Sequence, residues 1–155
     1  HYGVNHIHYD IGDQYNNGAL VLNTLRHAIS NDTLWFGSMK RLQESFSNKY
    51  LTTDEVVDFF SSTFDQNLDG FFDIYLTERD LPKLEIELKE DREGTLIKYR
   101  WNKENFLLPV KIIIQNKERT TIPASNAWQD AYFKGLKASD IKIDQRSYLF
   151  KLVSK

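Results

Sequence analysis

The sequence predicts an α+β fold with its helices first and its strands afterwards, and three observations carry this. Apolar residues recur at helical spacing up to about residue 79. Beyond that point, in ERDLPKLEIELKEDREGTLIKYRWN, the spacing turns to strict alternation. Between the two regimes stands Pro82, whose locked φ and missing N–H cannot continue a helix. Helices followed by strands, without interleaving, imply two parts instead of a parallel βαβ sheet. The expected division is a helical part over 1–79 and an antiparallel β-sandwich, Ig-like, over 80–155.

Residues 19–29 (ALVLNTLRHAI) make the first clear helix. Ala19, Leu20, Val21 and Leu22 each turn about 100° from the last, so they cover its whole circumference. A helix apolar all round has to be enclosed. The second helix follows Asn31 or Asp32, either of which can cap it, with Leu34, Trp35, Met39, Leu42 and Phe46 inward. Thr52 and Glu55 form a capping box for the third, whose inward set is Val56, Phe59, Phe60 and Thr63. A short fourth helix runs through Phe71, Phe72 and Tyr75.

Leu84, Ile86 and Leu88 point one way and Glu85, Glu87 and Lys89 the other, the mark of a half-buried strand. Glu93-Gly94 supplies a turn, and Leu96 to Trp101 is the hairpin partner. Further strands are expected at 107–114, 118–122, 128–134 and 147–153.

Composition narrows the function. With 41% apolar and 14% aromatic residues the chain can bury a core. Its net charge of −2, with both signs interspersed, offers neither a basic field for nucleic acid nor a polybasic tract for a membrane, and no apolar run is long enough to span one. Cysteine is absent, which removes disulfides, thiolate zinc sites and thiol nucleophiles together. The sequence opens at His1 without an initiator methionine, so a fragment of a longer chain is expected.

Several patterns invite chemistry. His1, His6 and His8 fall within eight residues, and His6 and His8 would share one face of a strand as zinc ligands do, but no carboxylate or cysteine stands at metal-site spacing. Asp65, Asn67, Asp69 and Gly70 match the opening of a calcium-binding EF-hand loop. Its twelfth position, which needs a bidentate glutamate, is Leu76, so a helix start with capping acids is the better reading. Neither G-x-S-x-G nor H-E-x-x-H occurs. Tyr15 remains, a phenol at a helix entrance with Gly18 one turn on. On chemistry alone it reads as packing, with the glycine admitting a neighbouring backbone.

The order of motifs over residues 9–88 resembles the zinc aminopeptidases of the aminopeptidase N family, gluzincins, in the piece that follows their zinc site. Their tyrosine-x-x-glycine leading into an aliphatic helix that ends Leu-Arg is similar to Tyr15 to Gly18 and on to Leu25-Arg26. Their next turn and aromatic helix are similar to Asn31 to Phe36. Their threonine-capped helix is similar to Thr52 to Glu55, and their Phe-Phe helix before Leu-Pro to Phe71-Phe72 and Leu81-Pro82. Asn17 and Tyr75 depart from the usual lysine and tryptophan.

The resemblance implies that 1–79 is the helical end of a thermolysin-like catalytic domain and that a zinc ion, bound by H-E-x-x-H and a later glutamate, belongs to the full-length parent. It implies that none is bound by this piece. Tyr15 would then donate its hydroxyl to the oxyanion formed as a peptide carbonyl becomes tetrahedral, with Gly18 letting the helix start lie against the site. Tyr9 would line the same cleft. The implied substrate is a peptide, cleaved at its N-terminal residue by the parent, while this chain alone is inactive. The rival expectation is a non-catalytic binding or scaffolding module. In the parent the rest of the catalytic domain would cover one face of the enclosed first helix; in this piece, with only about 80 residues of helical sequence, that face is exposed as an apolar patch or buried against another copy, so self-association through Tyr15 to Ile29 is expected.

Overall fold

The computed structural model describes residues 12–115 and 118–154, the side chains at 12–16, 118 and 119 excepted. Among the described residues, four α-helices precede seven strands: α1 Gly12–Ile29, α2 Asp32–Ser45, α3 Thr53–Phe64 and α4 Asp69–Thr77, then β1 Lys83–Glu90, β2 Gly94–Trp101, β3 Val110–Ile114, β4 Glu118–Ile122, β5 Gln129–Lys134, β6 Ile141–Ile143 and β7 Lys151–Ser154. The α+β order is the one expected, and α1 begins several residues before the apolar run that announced it.

Local chemistry explains the helix boundaries. Ser30 takes a left-handed φ of 55° and returns its N–H to the Arg26 carbonyl at 3.0 Å, which stops α1. Asn31 caps α2 by accepting the Leu34 N–H at 3.0 Å. In α3 the Thr52 hydroxyl accepts the Glu55 N–H at 3.3 Å, and the Glu55 carboxylate accepts the Thr52 N–H at 2.8 Å. Bonding to that N–H and to the Thr52 hydroxyl holds the Glu55 carboxyl below its ordinary range.

The most buried side chains of α3 are Val57, Phe60 and Phe64, so its inward stripe is turned slightly from the expected Val56, Phe59, Phe60 and Thr63. Trp35 of α2 stacks on both Phe60 and Phe64, at 5.9 and 6.1 Å between ring centroids.

The calcium-like sequence between α3 and α4 has other work. The Asn67 side chain accepts the Asp69 N–H at 2.8 Å in a turn that leads into α4. A Cβ on Gly70 would run into the Asn105 carbonyl, so glycine lets the first turn of α4 lie directly on the loop between β2 and β3.

The strands form a four-stranded sheet in the order β5-β2-β1-β7 and a three-stranded sheet in the order β4-β3-β6. Pairing is antiparallel except between β1 and β7. Leu84 lies opposite Trp101 and Leu88 opposite Ile97, and the turn closes where the Asp91 carboxylate accepts the N–H groups of Glu93 and Gly94 at 2.8 and 2.9 Å. Leu84 and Ile86 are buried as expected, whereas Leu88, near the hairpin end, is 37% exposed.

Buried side chains from helices and from both sheets join in one core cluster. Phe106 is its hinge, with ring centroids 6.3 Å from Phe71, 5.9 Å from Tyr75 and 5.1 Å from Trp101. The Trp101 indole N–H is satisfied by the Leu108 carbonyl at 2.9 Å.

Two expected strands are shorter in the structure. In 107–114 pairing starts only after Pro109, which has no N–H to give. In 147–153 it starts at Lys151, because the backbone before it is engaged by the helices. Leu149 donates its N–H to the Thr24 hydroxyl at 2.8 Å and accepts from the Tyr75 hydroxyl at 2.6 Å. The three residues of β6 were too few to show a period.

Candidate functional site

The helix that carries Tyr15 is held along its second half. From Val21 to Ile29 every residue is at least partly buried, with Leu25 at 1% and Thr24 at 0% exposure. Thr24 is the key contact: its hydroxyl donates to the Leu20 carbonyl at 2.8 Å within the helix and accepts the Leu149 N–H from outside it. On neighbouring turns the Asn23 amide donates to the Ser147 carbonyl at 3.3 Å, and the Tyr148 hydroxyl to the His27 carbonyl at 3.3 Å. Arg26 and Asp32 meet in a two-pronged ion pair at 2.8 and 2.9 Å that ties α1 to α2, and the Arg26 guanidinium lies 4.9 Å from the Phe36 ring centroid.

The segment that receives α1 is braced by a buried carboxylate. Asp144, 3% exposed, accepts the Ser147 hydroxyl at 2.8 Å and the backbone N–H groups of Arg146 and Ser147 at 3.1 and 3.3 Å. This turns the chain so that Ser147 to Leu149 face the helix. Above it the rings of His27 and Tyr148 are 6.2 Å apart, with the Lys111 ammonium 6.0 Å from the Tyr148 ring. Burial first, then the nearby charges of Lys111 and Arg26, hold the His27 imidazole below its ordinary pKa. Burial likewise pushes the Tyr148 phenol up. Sequence reading passed over Thr24, Asp144 and Ser147; the only trace of them was an aspartate and a serine three apart, a common turn signal.

Toward its start α1 is bare. Asn17 to Leu20 are exposed, Leu20 by 45%. The expected enclosure therefore holds from Val21 to Ile29 and not for Ala19 and Leu20. Nor does a backbone approach Gly18: among the described residues nothing lies within 4 Å of a Cβ built there. Tyr15 belongs to the first turn of α1, but its side chain lies outside the described residues, as do Tyr9, His1, His6 and His8.

Among the described residues no group of three or more histidine, cysteine, aspartate or glutamate side chains is placed to hold a metal, so those residues do not fit a zinc site. Acidic side chains do gather in a cleft of about 710 Å³ lined by Asp69, Asp73, Glu78 and Glu104, where Glu78 pairs with Lys103. Among the described residues no helix is long and apolar enough to cross a membrane.

No family model matches this chain, and no curated protein does. Among solved structures it is similar to aminopeptidase A of Legionella pneumophila, crystallised in complex with aspartic acid, with a TM-score of 0.74 and 10% identity over 90% of this chain. The chain spans 18% of that protein's length. At this identity what is shared is the fold: the chain has the fold of one portion of an aminopeptidase.

Proposed function

We propose that this chain works as part of a zinc aminopeptidase of the aminopeptidase N family, within a longer polypeptide that removes N-terminal residues from peptides. The observation that supports this most is the shared fold with an aminopeptidase over 90% of the chain, and the sequence motifs that suggested the family fall in order on α1 to α4 of this chain. In this reading α1 to α4 end the catalytic domain and the strands after Pro82 form a separate β-sandwich domain.

The residues described here do not fit a zinc ion, and H-E-x-x-H does not occur in the sequence. Metal ligands and the general base would have to come from other residues of the longer polypeptide, where bound zinc supplies Lewis acidity. What this chain contributes is Tyr15. A phenolic O–H on the first turn of a helix whose far half is pinned at Thr24 and Leu25 is well suited to meet an oxyanion at a fixed distance. Its bond strengthens as negative charge develops on the peptide oxygen, so it lowers the barrier more than it tightens substrate binding. Tyr9 would border the same cleft.

The test is Tyr15→Phe in the full-length polypeptide. The kcat is expected to fall by roughly 10²-fold or more with KM little changed. Turnover equal to the unaltered enzyme overturns the role. This chain by itself is expected to show no zinc-dependent peptide hydrolysis in the same assay.

A further inference from the structure

Between the α3–α4 turn and the loops that lead into β3 and out of β4 lies a cleft of about 410 Å³, walled by Leu68, Leu107, Leu108, Pro109, Pro123 and Ala124. Two features set it apart from the rest of the surface. The first is its neutrality. No charged side chain is among the described residues that line it, although 27% of the chain is charged. The adjoining cleft, which shares Asn67 and Leu107, is by contrast acidic. An ion gains nothing from entering such a place and loses its hydration.

The second feature is Gln129, which also lines the cleft and whose Oε1 is buried with no hydrogen-bond partner among the described residues. An acceptor shut away from water without a donor costs stability. The terminal amide of glutamine turns readily about its last torsion, so it can swing to meet a donor that enters the cleft. Leu107, 70% exposed, stands at the rim as an apolar side chain without cover.

We propose that this cleft binds an uncharged stretch of peptide, with an apolar side chain of about leucine size set against Leu68, Leu107 and Leu108 and a neighbouring backbone N–H donated to the Gln129 side-chain oxygen. Its volume lies near the small end of ligand sites, ~300–1,000 Å³, enough for one side chain and its flanking amides. A lipid tail would satisfy the walls and leave Gln129 unpaired. A sugar would reverse the mismatch, meeting the polar side of the cleft at Gln66, Asn67, Ser125 and Gln129 but setting its hydroxyls against six apolar side chains. Peptide supplies both an apolar group and an N–H within one residue. The inference stands on this cleft alone and does not depend on the peptidase reading.

The experiment follows leucine methyl and backbone amide NMR signals of the whole chain while N-acetyl-leucine N-methylamide is added. Saturable shifts at Leu68, Leu107 and Leu108 are expected, with a Kd on the order of 1–10 mM for so small a ligand. N-acetyl-glycine N-methylamide should bind at least ten times more weakly. Gln129→Met keeps the length of the side chain but removes the acceptor, so it should weaken binding about tenfold while leaving the thermal midpoint unchanged or higher. Leu107→Asp changes an exposed rim position that folding does not need, and it should abolish the shifts at Leu68 and Leu108. Absence of saturable shifts in the unaltered protein, equal affinity for the leucine and glycine probes, or equal affinity in Gln129→Met overturns the proposal.

Discussion

Two leucines of α1 end in opposite surroundings. Leu20 and Leu25 are both helical leucines in one apolar run, yet the first is 45% exposed and the second 1%. The difference does not lie in hydrophobicity. It lies in what the rest of the chain brings to each: Val21 to Ile29 meet the 144–150 segment, α2 and the core, while Asn17 to Leu20 meet solvent. Cover begins at Val21, the residue after Leu20, and the Thr24–Leu149 bond lies one turn inside it. α1 therefore has a covered root, Val21 to Ile29, and an exposed stretch toward its tip, Asn17 to Leu20; Tyr15 lies on the turn before that stretch.

Truncation at the two leucines gives the sharpest contrast. Leu25→Ala should cost roughly 2–5 kcal/mol in denaturant unfolding, from lost burial and the cavity left behind, whereas Leu20→Ala should cost less than about 1 kcal/mol. Equal losses would break the distinction between root and tip. Thr24→Val comes next. It keeps the shape but leaves the Leu149 N–H without its acceptor, so a loss of ~1–3 kcal/mol is expected, with faster hydrogen exchange at the Leu149 amide as the local signature.

Smaller in energy is the association expected at the tip. Apolar surface at Leu20 favours contact with a second copy, so light scattering should show self-association at high protein concentration, reduced by Leu20→Asp. A strict monomer that binds no hydrophobic dye would falsify this.

The smallest effect is at His27. Its folded pKa lies below the ordinary imidazole value of 6.5. The unfolded chain thus takes up the proton more readily, and the stability present above that value is lost as pH falls through it toward the folded pKa. Below the folded pKa the loss stops growing. Comparing urea midpoints at pH 7.5 and about pH 5 for the unaltered protein and His27→Gln should show a smaller drop in the variant.

Much of the architecture could be read from local signals. Pro82 divides helices from strands, Thr52 and Glu55 cap α3, and Glu93-Gly94 closes the first hairpin, each as expected. These depend on a few neighbouring residues, which is why spacing alone reveals them. Leu149 could not be read in that way. Its surroundings spell a strand, yet its N–H and C=O are taken by Thr24 and Tyr75, which lie 125 and 74 residues away. Gly70 looked like part of a calcium loop because its neighbours are acidic, and only the nearness of Asn105 explains why a side chain is excluded there.

By itself, then, the sequence determined the α+β order, the helix caps, the hairpin turn and which residues were apolar enough to be buried, because each of these is a local preference of the backbone or of one side chain. Only the tertiary structure decided which leucines of α1 are covered, which turn Asp144 braces from within, and that Gln129 has a buried oxygen without a donor among the described residues. Those outcomes depend on the meeting of segments far apart in the chain, and burial or an unpaired polar atom is a property of that meeting and not of any residue alone.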